Sequence, residues 1–256
     1  MRHLFSPAGR EALARLLQQR PLLGFDFDGT LAPIVARPHD ARIPRAVSLQ
    51  LARLAQRLPV AIITGRALED VRGRLGFEPG FIVGNHGAED SADPQRSEAL
   101  VRGLDPLRLR IEAQRAAFDA AGVLVEDKGA SIALHYRLAP DRERARVLIG
   151  ALRLAEDPAL RIFSGKMVEN VVAVGAPDKA GAMRTLVARC QADSAFFAGD
   201  DVNDEPVFES APPHWLTVRI GRDDPHSCAR FFLDSPAEMA IALQAMLDEL
   251  DPTFRR

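Results

Sequence analysis

Four segments of the chain share one form, a short run of apolar residues that ends on polar or acidic ones. Residues 21–25 lead into Asp26-Phe27-Asp28-Gly29-Thr30, and 60–63 lead into Thr64-Gly65-Arg66. Residues 81–83 lead into Gly84-Asn85-His86-Gly87, and 195–198 into Gly199-Asp200-Asp201. Apolar runs without alternation, bounded by turn residues, predict strands buried on both faces, as in a parallel sheet. Between them the period changes. Pro44 suits a first helical turn, and Val47, Leu51, Leu54 and Leu58 then recur at spacings that fill one helix face. Similar patterns predict helices over 7–19, 66–75, 178–190 and 236–250. Strands alternating with helices predict an α/β fold with a doubly wound, mainly parallel sheet, and such sheets bind ligands beyond the carboxyl ends of their strands. All four polar clusters fall at those ends.

The stretch 97–173 reads differently. Helix-like patterns over 106–121 and 140–154 are grouped between apolar segments at 123–125, 131–138, 160–163 and 167–174. Paired strands with grouped helices predict a smaller α+β insertion over 97–173, which divides the core into 1–96 and 174–256. The loop 90–95 is expected to be a hinge.

Composition narrows the function classes. With 256 residues, 47% of them hydrophobic and 27% charged, the chain is an ordinary globular one. A net charge of -2 gives no general attraction to nucleic acid or an anionic membrane. No apolar run approaches the ~20 residues of a membrane helix. The first residues alternate Arg2, Arg10 and Arg15 with apolar ones instead of building a signal-peptide core, so a cytoplasmic location is expected. Cys190 and Cys228 fit neither a disulfide framework nor a zinc set and read as small buried hydrophobes. Trp215, Phe231 and Phe232 read as core. Nothing in the sequence sets an oligomeric state.

The basic residues split unevenly: of 33, only Lys128, Lys166 and Lys179 are lysine. Asparagine is as scarce, at Asn85, Asn170 and Asn203. In a chain that uses arginine wherever a surface cation suffices, the remaining lysines are expected where a compact ammonium is needed.

The polar clusters carry the candidate chemistry. Asp26 and Asp28 lie two apart at a strand end, where both would point to one face, and Gly29 allows a sharp turn after them. Such a pair can divide labour, one as nucleophile or metal ligand and the other as proton donor. Asp200, Asp201, Asn203 and Asp204 follow a second strand. Carboxylates from adjacent strand ends suit a hard cation such as Mg2+, although acids at a helix start would look the same. Thr64, Gly65 and Arg66 offer a hydroxyl and backbone N–H groups to phosphate oxygens. Lys179 stands where the core sheet resumes after the insertion.

The order Asp-x-Asp-Gly-Thr, Thr-Gly-Arg, Lys, Gly-Asp-Asp-x-x-Asp resembles the four motifs of haloacid dehalogenase superfamily phosphatases, and the insertion resembles their C2-type cap. Gly84–Glu89, Glu126–Lys128, His135–Arg137 and the Gly165-Lys166 segment resemble the trehalose-6-phosphate phosphatases within that superfamily. All three lysines and all three asparagines fall inside these segments. The chain departs from the family's pattern at three points: Asn203 stands where threonine is common, Ala180 follows Lys179 where glycine is common, and Asn170 occupies the place of a cap glutamate. Glu169 lies one residue earlier, and alternation along a strand would turn it to the other face.

The resemblance implies a Mg2+-dependent sugar-phosphate phosphatase, with trehalose 6-phosphate as the expected substrate. It implies Asp26 as nucleophile, Asp28 as acid and base, and Thr64 and Lys179 as further catalytic groups. Mg2+ would be held by Asp26, Asp28 through its main-chain carbonyl, and Asp200, supported by Asp201, Asn203 and Asp204. Gly65, Arg66, His86, Glu126, Lys128, His135, Lys166 and Asn170 are the implied substrate-binding residues. A sucrose-phosphate or mannosyl-phosphoglycerate phosphatase, or a sugar phosphomutase, would share the core.

Overall fold

The computed structural model describes residues 1–251, apart from Ala36, Arg153, Lys166 and Asp223. The chain divides into two compact units, Met1–Gly87 with Asp178–Arg256, and Ala88–Pro177. The expected insertion, 97–173, lies wholly inside the second unit.

In chain order the first stretch forms β1 (Arg2–His3), α1 (Pro7–Leu17), β2 (Leu22–Phe25), α2 (Arg45–Ala55), β3 (Val60–Ile63), α3 (Leu68–Arg72) and β4 (Phe81–Gly84). The inserted unit holds β5 (Glu89–Asp90), α4 (Pro94–Arg102), α5 (Asp105–Ala113), α6 (Arg115–Ala121), β6 (Leu124–Asp127), β7 (Ile132–His135), α7 (Arg142–Gly150), β8 (Leu160–Gly165) and β9 (Val168–Ala173). The chain then returns through α8 (Lys179–Cys190), β10 (Ala195–Gly199), α9 (Glu205–Ser210), β11 (Leu216–Ile220), β12 (Phe231–Leu233) and α10 (Pro236–Leu250).

The first unit is built on a parallel sheet in the order β1-β12-β11-β10-β2-β3-β4. Successive side chains of a strand point to opposite faces, and both faces are covered. Leu23, Phe25, Ile62 and Phe196 pack with Leu51 of α2 and Leu243 of α10. Leu22, Ala61, Ile63 and Phe197 pack with Met183 and Leu186 of α8 and Phe208 of α9. This is the doubly wound arrangement expected from the apolar runs. Phe25 and Phe196 meet with ring centroids 5.5 Å apart, and each buried ring contributes about 1.5–3 kcal/mol by leaving water.

Gly24 lets α8 approach the sheet closely. A Cβ at this position would lie 2.6 Å from Met183 Sδ. The approach matters because Lys179 begins α8 and Asp26 follows β2.

The second unit has an antiparallel sheet in the order β6-β7-β9-β8. Ile132, Leu134 and Val171 pack with Leu107 and Ile111 of α5, Phe118 of α6 and Ile149 of α7. The register sets Glu126 opposite Ala133, Ala133 opposite Asn170 and Asn170 opposite Phe163, so these four share the other face.

Several elements differ from the sequence reading. The helix expected over 106–121 is two helices, broken at Gln114, whose φ of -113° and ψ of 10° lie outside the helical region. The expected hinge at 90–95 is taken up by the end of β5 and the start of α4, whose N-cap Asp93 accepts from Arg96 N–H at 3.2 Å. Trp215 is buried, whereas Phe231 and Phe232 are only partly so. Cys228 is exposed and Cys190 partly exposed, so neither is the buried hydrophobe expected. Among the described residues, no helix is long and apolar enough to cross a membrane.

Candidate active site

Asp26 leaves the end of β2 with its N–H bonded to Ala198 O of β10 at 2.9 Å. Its carboxylate is buried, and Oδ1 accepts from Lys179 Nζ at 2.8 Å. The same ammonium donates to Asp204 Oδ1 at 2.7 Å. Asp204 Oδ2 in turn accepts the backbone N–H groups of Asp200 and Asp201, both at 3.0 Å. Asp204 thereby shapes the turn after β10 while holding Lys179. Carboxylate oxygens of Asp26, Asp200 and Asp204 lie within 4.8 Å of one another.

Three carboxylates crowd together here, and one ammonium holds two of them. Burial pushes the Asp26 carboxyl well up, against the pull of Lys179, and the charges of Asp204 and Asp200 push it further. Burial alone would lower the Lys179 ammonium, but Asp204 and Asp26 outweigh it and hold the proton tightly. With Asp204 engaged by Lys179 and two N–H groups, Asp26 and Asp200 are the carboxylates suited to a cation. An all-oxygen, anionic donor set of this kind fits a hard divalent ion.

Gly29 sits between Asp28 and this cluster with φ +76°, and a Cβ there would lie 2.2 Å from Asp200 Oδ2. Gly29→Ala should therefore displace Asp200 and weaken divalent-ion binding at least tenfold, a loss of ~1.4 kcal/mol. Calorimetric titration of the metal-free variant checks this, and wild-type affinity would contradict it.

Asp28 faces a different partner. Arg66 donates to it through Nε and Nη2, both at 2.7 Å, a bidentate pair. The guanidinium also lies 5.2 Å over the Phe27 ring. Thr64 is buried at the end of β3, and its Oγ1 accepts from Arg66 N–H at 3.2 Å. His86 has a left-handed backbone, with φ 59°, and its ring covers Gly65 so closely that a Cβ there would lie 2.4 Å away. Asn203 Nδ2 donates to Asp201 Oδ2 at 3.2 Å. Asp26, Asp28, Thr64, Gly65, Arg66, His86, Lys179, Asp200, Asp201, Asn203 and Asp204 thus all stand at or just after the carboxyl ends of β2, β3, β4 and β10, or at the start of α8.

A second polar group lies in the inserted unit. Glu126 Oε2 bonds His135 Nε2 at 2.8 Å and has Lys128 Nζ at 3.6 Å. The bond from His135 lowers the Glu126 carboxyl, against its partial burial and with help from Lys128. Asn170 is 5% exposed on the face that Glu126 shares. Glu169 lies on the opposite face, where its Oε2 accepts from Ser164 Oγ at 2.7 Å. Lys166 lies outside the described residues.

A third group, His3, Asp234 and Glu238, has ligand atoms at metal-site spacing. It is better explained as a hydrogen-bonded clasp. Phe5 N–H donates to His3 Nδ1, which places the ring proton on Nε2, facing Glu238 Oε2 at 3.2 Å. Arg222 bonds both oxygens of Asp234. A metal on Nε2 would have to displace that proton while Nδ1 remained an acceptor, which a neutral imidazole cannot do.

The sequence reading missed Asp70, which bonds Arg66 of the first site, and Arg74 behind it. Arg66 Nη1 donates to Asp70 Oδ2 at 2.8 Å, and Arg74 Nε donates to Asp70 Oδ1 at 3.0 Å. The available signal was their spacing, four residues from Arg66 to Asp70 and four more to Arg74.

Comparison with known proteins places the chain in a family. The family model described as trehalose-phosphatase matches residues 24–237. The chain is 31% identical over 238 residues to the trehalose-phosphate phosphatase of Mycobacterium bovis, an alignment covering 88% of this chain and 61% of that protein. The chain therefore spans less than two thirds of the length of such curated relatives. A crystal structure of a trehalose-6-phosphate phosphatase related protein superposes with a TM-score of 0.72 at 25% identity, covering 88% of this chain and 97% of that one. The C-terminal domain of trehalose-6-phosphate phosphatase from C. albicans gives a TM-score of 0.74 at 20% identity, covering 93% and 96%.

Proposed function

The chain belongs to the trehalose-phosphatase family, and from that premise we propose that it is a Mg2+-dependent phosphatase hydrolysing trehalose 6-phosphate to trehalose and phosphate through an aspartyl phosphate. The observation that carries the reading is the buried group in which Lys179 bridges Asp26 and Asp204 beside Asp200.

In this reading Asp26 is the nucleophile. One of its carboxylate oxygens bonds to phosphorus as the bond from phosphorus to the sugar oxygen breaks. Asp28 supplies the proton that the leaving alkoxide needs. It then takes a proton from the water that attacks phosphorus, and the break of the acyl phosphate restores Asp26. Thr64 Oγ1 accepts from Arg66 N–H, which leaves its own hydroxyl proton to donate to a phosphate oxygen. Lys179 keeps Asp26 and Asp204 in place and adds positive charge where phosphoryl charge collects. Asp26, Asp200 and the main-chain carbonyl of Asp28 are the groups that would hold Mg2+. Bound there, the ion neutralises charge on the phosphoryl oxygens and offsets the repulsion among the carboxylates.

In this reading the polar residues of the inserted unit, Glu126, Lys128, His135, Asn170 and Lys166, take the sugar, while Gly65 and Arg66, in the loop after β3, and His86 serve the phosphate end of the substrate. A pocket built to pair with sugar hydroxyls discriminates strongly against analogues that lack them. Asn170 donates and accepts without the charge-assisted strength of a carboxylate, so sugar binding is expected to be the weaker part of recognition.

The test is phosphate release from trehalose 6-phosphate, glucose 6-phosphate and sucrose 6-phosphate, each with Mg2+ and with EDTA. Trehalose 6-phosphate should have the highest kcat/KM, and EDTA should abolish release until Mg2+ is restored. An equal or higher kcat/KM for either other sugar phosphate would contradict the substrate, and full activity in EDTA would contradict the metal.

A further inference from the structure

The ion pair between Arg66 and Asp28 belongs to a longer line of charges. Arg66 spends its Nε and Nη2 edge on Asp28 and turns Nη1 to Asp70. Asp70 uses Oδ2 for Arg66 and Oδ1 for Arg74, so each of its oxygens faces a different guanidinium. Arg74 is tied down in turn: its Nε also donates to Asp70 O at 3.0 Å, and its Nη1 donates to His39 O. Charges thus alternate from Asp28 through Arg66 and Asp70 to Arg74, and the line ends on a backbone carbonyl. The two guanidinium side chains are the sheltered members, at 12% and 11% exposure against 39% for Asp28 and Asp70. Burial tends to raise the Asp70 carboxyl, but Arg74 and Arg66 overcome it and hold it below the usual carboxylate range.

The geometry has a consequence for Asp28. A guanidinium is planar, so fixing one edge fixes the direction in which the remaining donors point. Asp70 holds the Nη1 end, and the Nε and Nη2 fork is thereby aimed at Asp28. The plane of the Asp28 carboxylate is set by a residue that does not touch it. A phosphate dianion near Arg66 would compete for the same fork, since it offers more charge and three acceptor oxygens.

We propose that Asp70, backed by Arg74, is a positioning residue for Asp28: by anchoring Nη1 it keeps Arg66 beside the acid and base rather than on the phosphate, so that when Asp28 carries the proton one of its oxygens stays on the guanidinium and the other holds that proton for the leaving oxygen. This rests on the phosphatase reading, in which Asp28 moves the proton. When Asp70 is neutralised, Arg66 turns towards the phosphate and Asp28 loses its fixed orientation. Phosphate is then bound as well or better, while proton transfer slows.

The leaving group separates this role from a structural one. A sugar leaves as an alkoxide and needs the proton of Asp28, whereas p-nitrophenolate leaves without it. Single-turnover phosphoryl transfer is measured on the Mg2+-loaded full chain, with the sugar phosphate the wild type turns over fastest and with p-nitrophenyl phosphate. Asp70→Asn should slow transfer from the sugar ester roughly ten- to a hundredfold. Transfer from the nitrophenyl ester should stay within about twofold, since general acid help is not needed there, and inhibition by inorganic phosphate should be unchanged or tighter. Arg74→Gln should shift the same ratio in the same direction by less, and it reads the proposal even if Asp70→Asn folds poorly. Equal slowing with both esters, or weaker inhibition by phosphate, would overturn the role of Asp70 and leave the phosphatase reading intact. A wild-type chain that releases phosphate from neither ester would contradict the phosphatase reading and the positioning role together.

Discussion

Asp26→Asn is expected to lower kcat by on the order of 10⁵ or more, the scale on which loss of an attacking nucleophile is felt, without unfolding the protein. The amide has the shape of the carboxylate, and its oxygen can still accept from Lys179 Nζ, which lies 2.8 Å from Asp26 Oδ1. It cannot form the acyl phosphate. The stability effect has a definite sign. Burial, Asp204 and Asp200 raise the Asp26 carboxyl despite Lys179, so in the metal-free fold its ionised form is disfavoured relative to the unfolded chain. A neutral isostere removes that penalty. Metal-free D26N should unfold at the same or a higher temperature than metal-free wild type, the exchange of stability for activity seen where a site is strained for function. A fall in Tm together with the loss of activity would mean that Asp26 is chiefly structural.

Lys179 should show the opposite stability effect. Its ammonium lies between two buried carboxylates at 2.8 and 2.7 Å. Lys179→Met would leave both without their shared cation, and breaking a buried pair from one side typically costs about 3–5 kcal/mol. Denaturant titration of the metal-free protein reads this, and an unchanged unfolding midpoint would contradict it. Lys179→Arg tests shape rather than charge. The site holds a compact group with two acceptors converging on one nitrogen, whereas a guanidinium spreads its donors in a plane. The variant should therefore lose most of kcat while keeping the positive charge. Near-wild-type turnover would show that the scarcity of lysine in this chain carries no information about the site.

The parts of the fold that could be read from sequence are those in which one physical requirement dominates. β2, β3, β4 and β10 are apolar because both faces of the sheet are covered, and the polar clusters mark their ends. β11 escaped because its residues Thr217 and Arg219 interrupt the apolar run. Both are buried in the fold, and Arg219 is accommodated by an ion pair to Glu205 Oε1 at 2.9 Å that no local pattern announces. β1 and β12 span only Arg2–His3 and Phe231–Leu233, too short for a period to show. The break at Gln114 was hidden because helical spacing of apolar residues continues through it from Ile111 to Phe118.

The candidate site was legible in the same partial way. Motif order pointed to Asp26, Lys179 and Asp200, because carboxylates at strand ends and a scarce lysine are unusual in themselves. The central place of Asp204 was not legible, since its role depends on a carboxylate turning back to meet two N–H groups and an ammonium from another element. Asp70 and Arg74 look in sequence like the ordinary charged positions of a short helix. Their part follows only from the direction of the Arg66 side chain.

The most direct measurement is to quench the Mg2+-loaded protein during turnover of trehalose 6-phosphate and map the phosphoryl group by mass spectrometry. The phosphoryl group should be found on Asp26, at a level that rises in Asp28→Asn if loss of the base slows hydrolysis of the acyl phosphate more than its formation. A phosphoryl group on Asp28 or His86, or phosphate released with no labelled enzyme at any time, would contradict the Asp26 assignment.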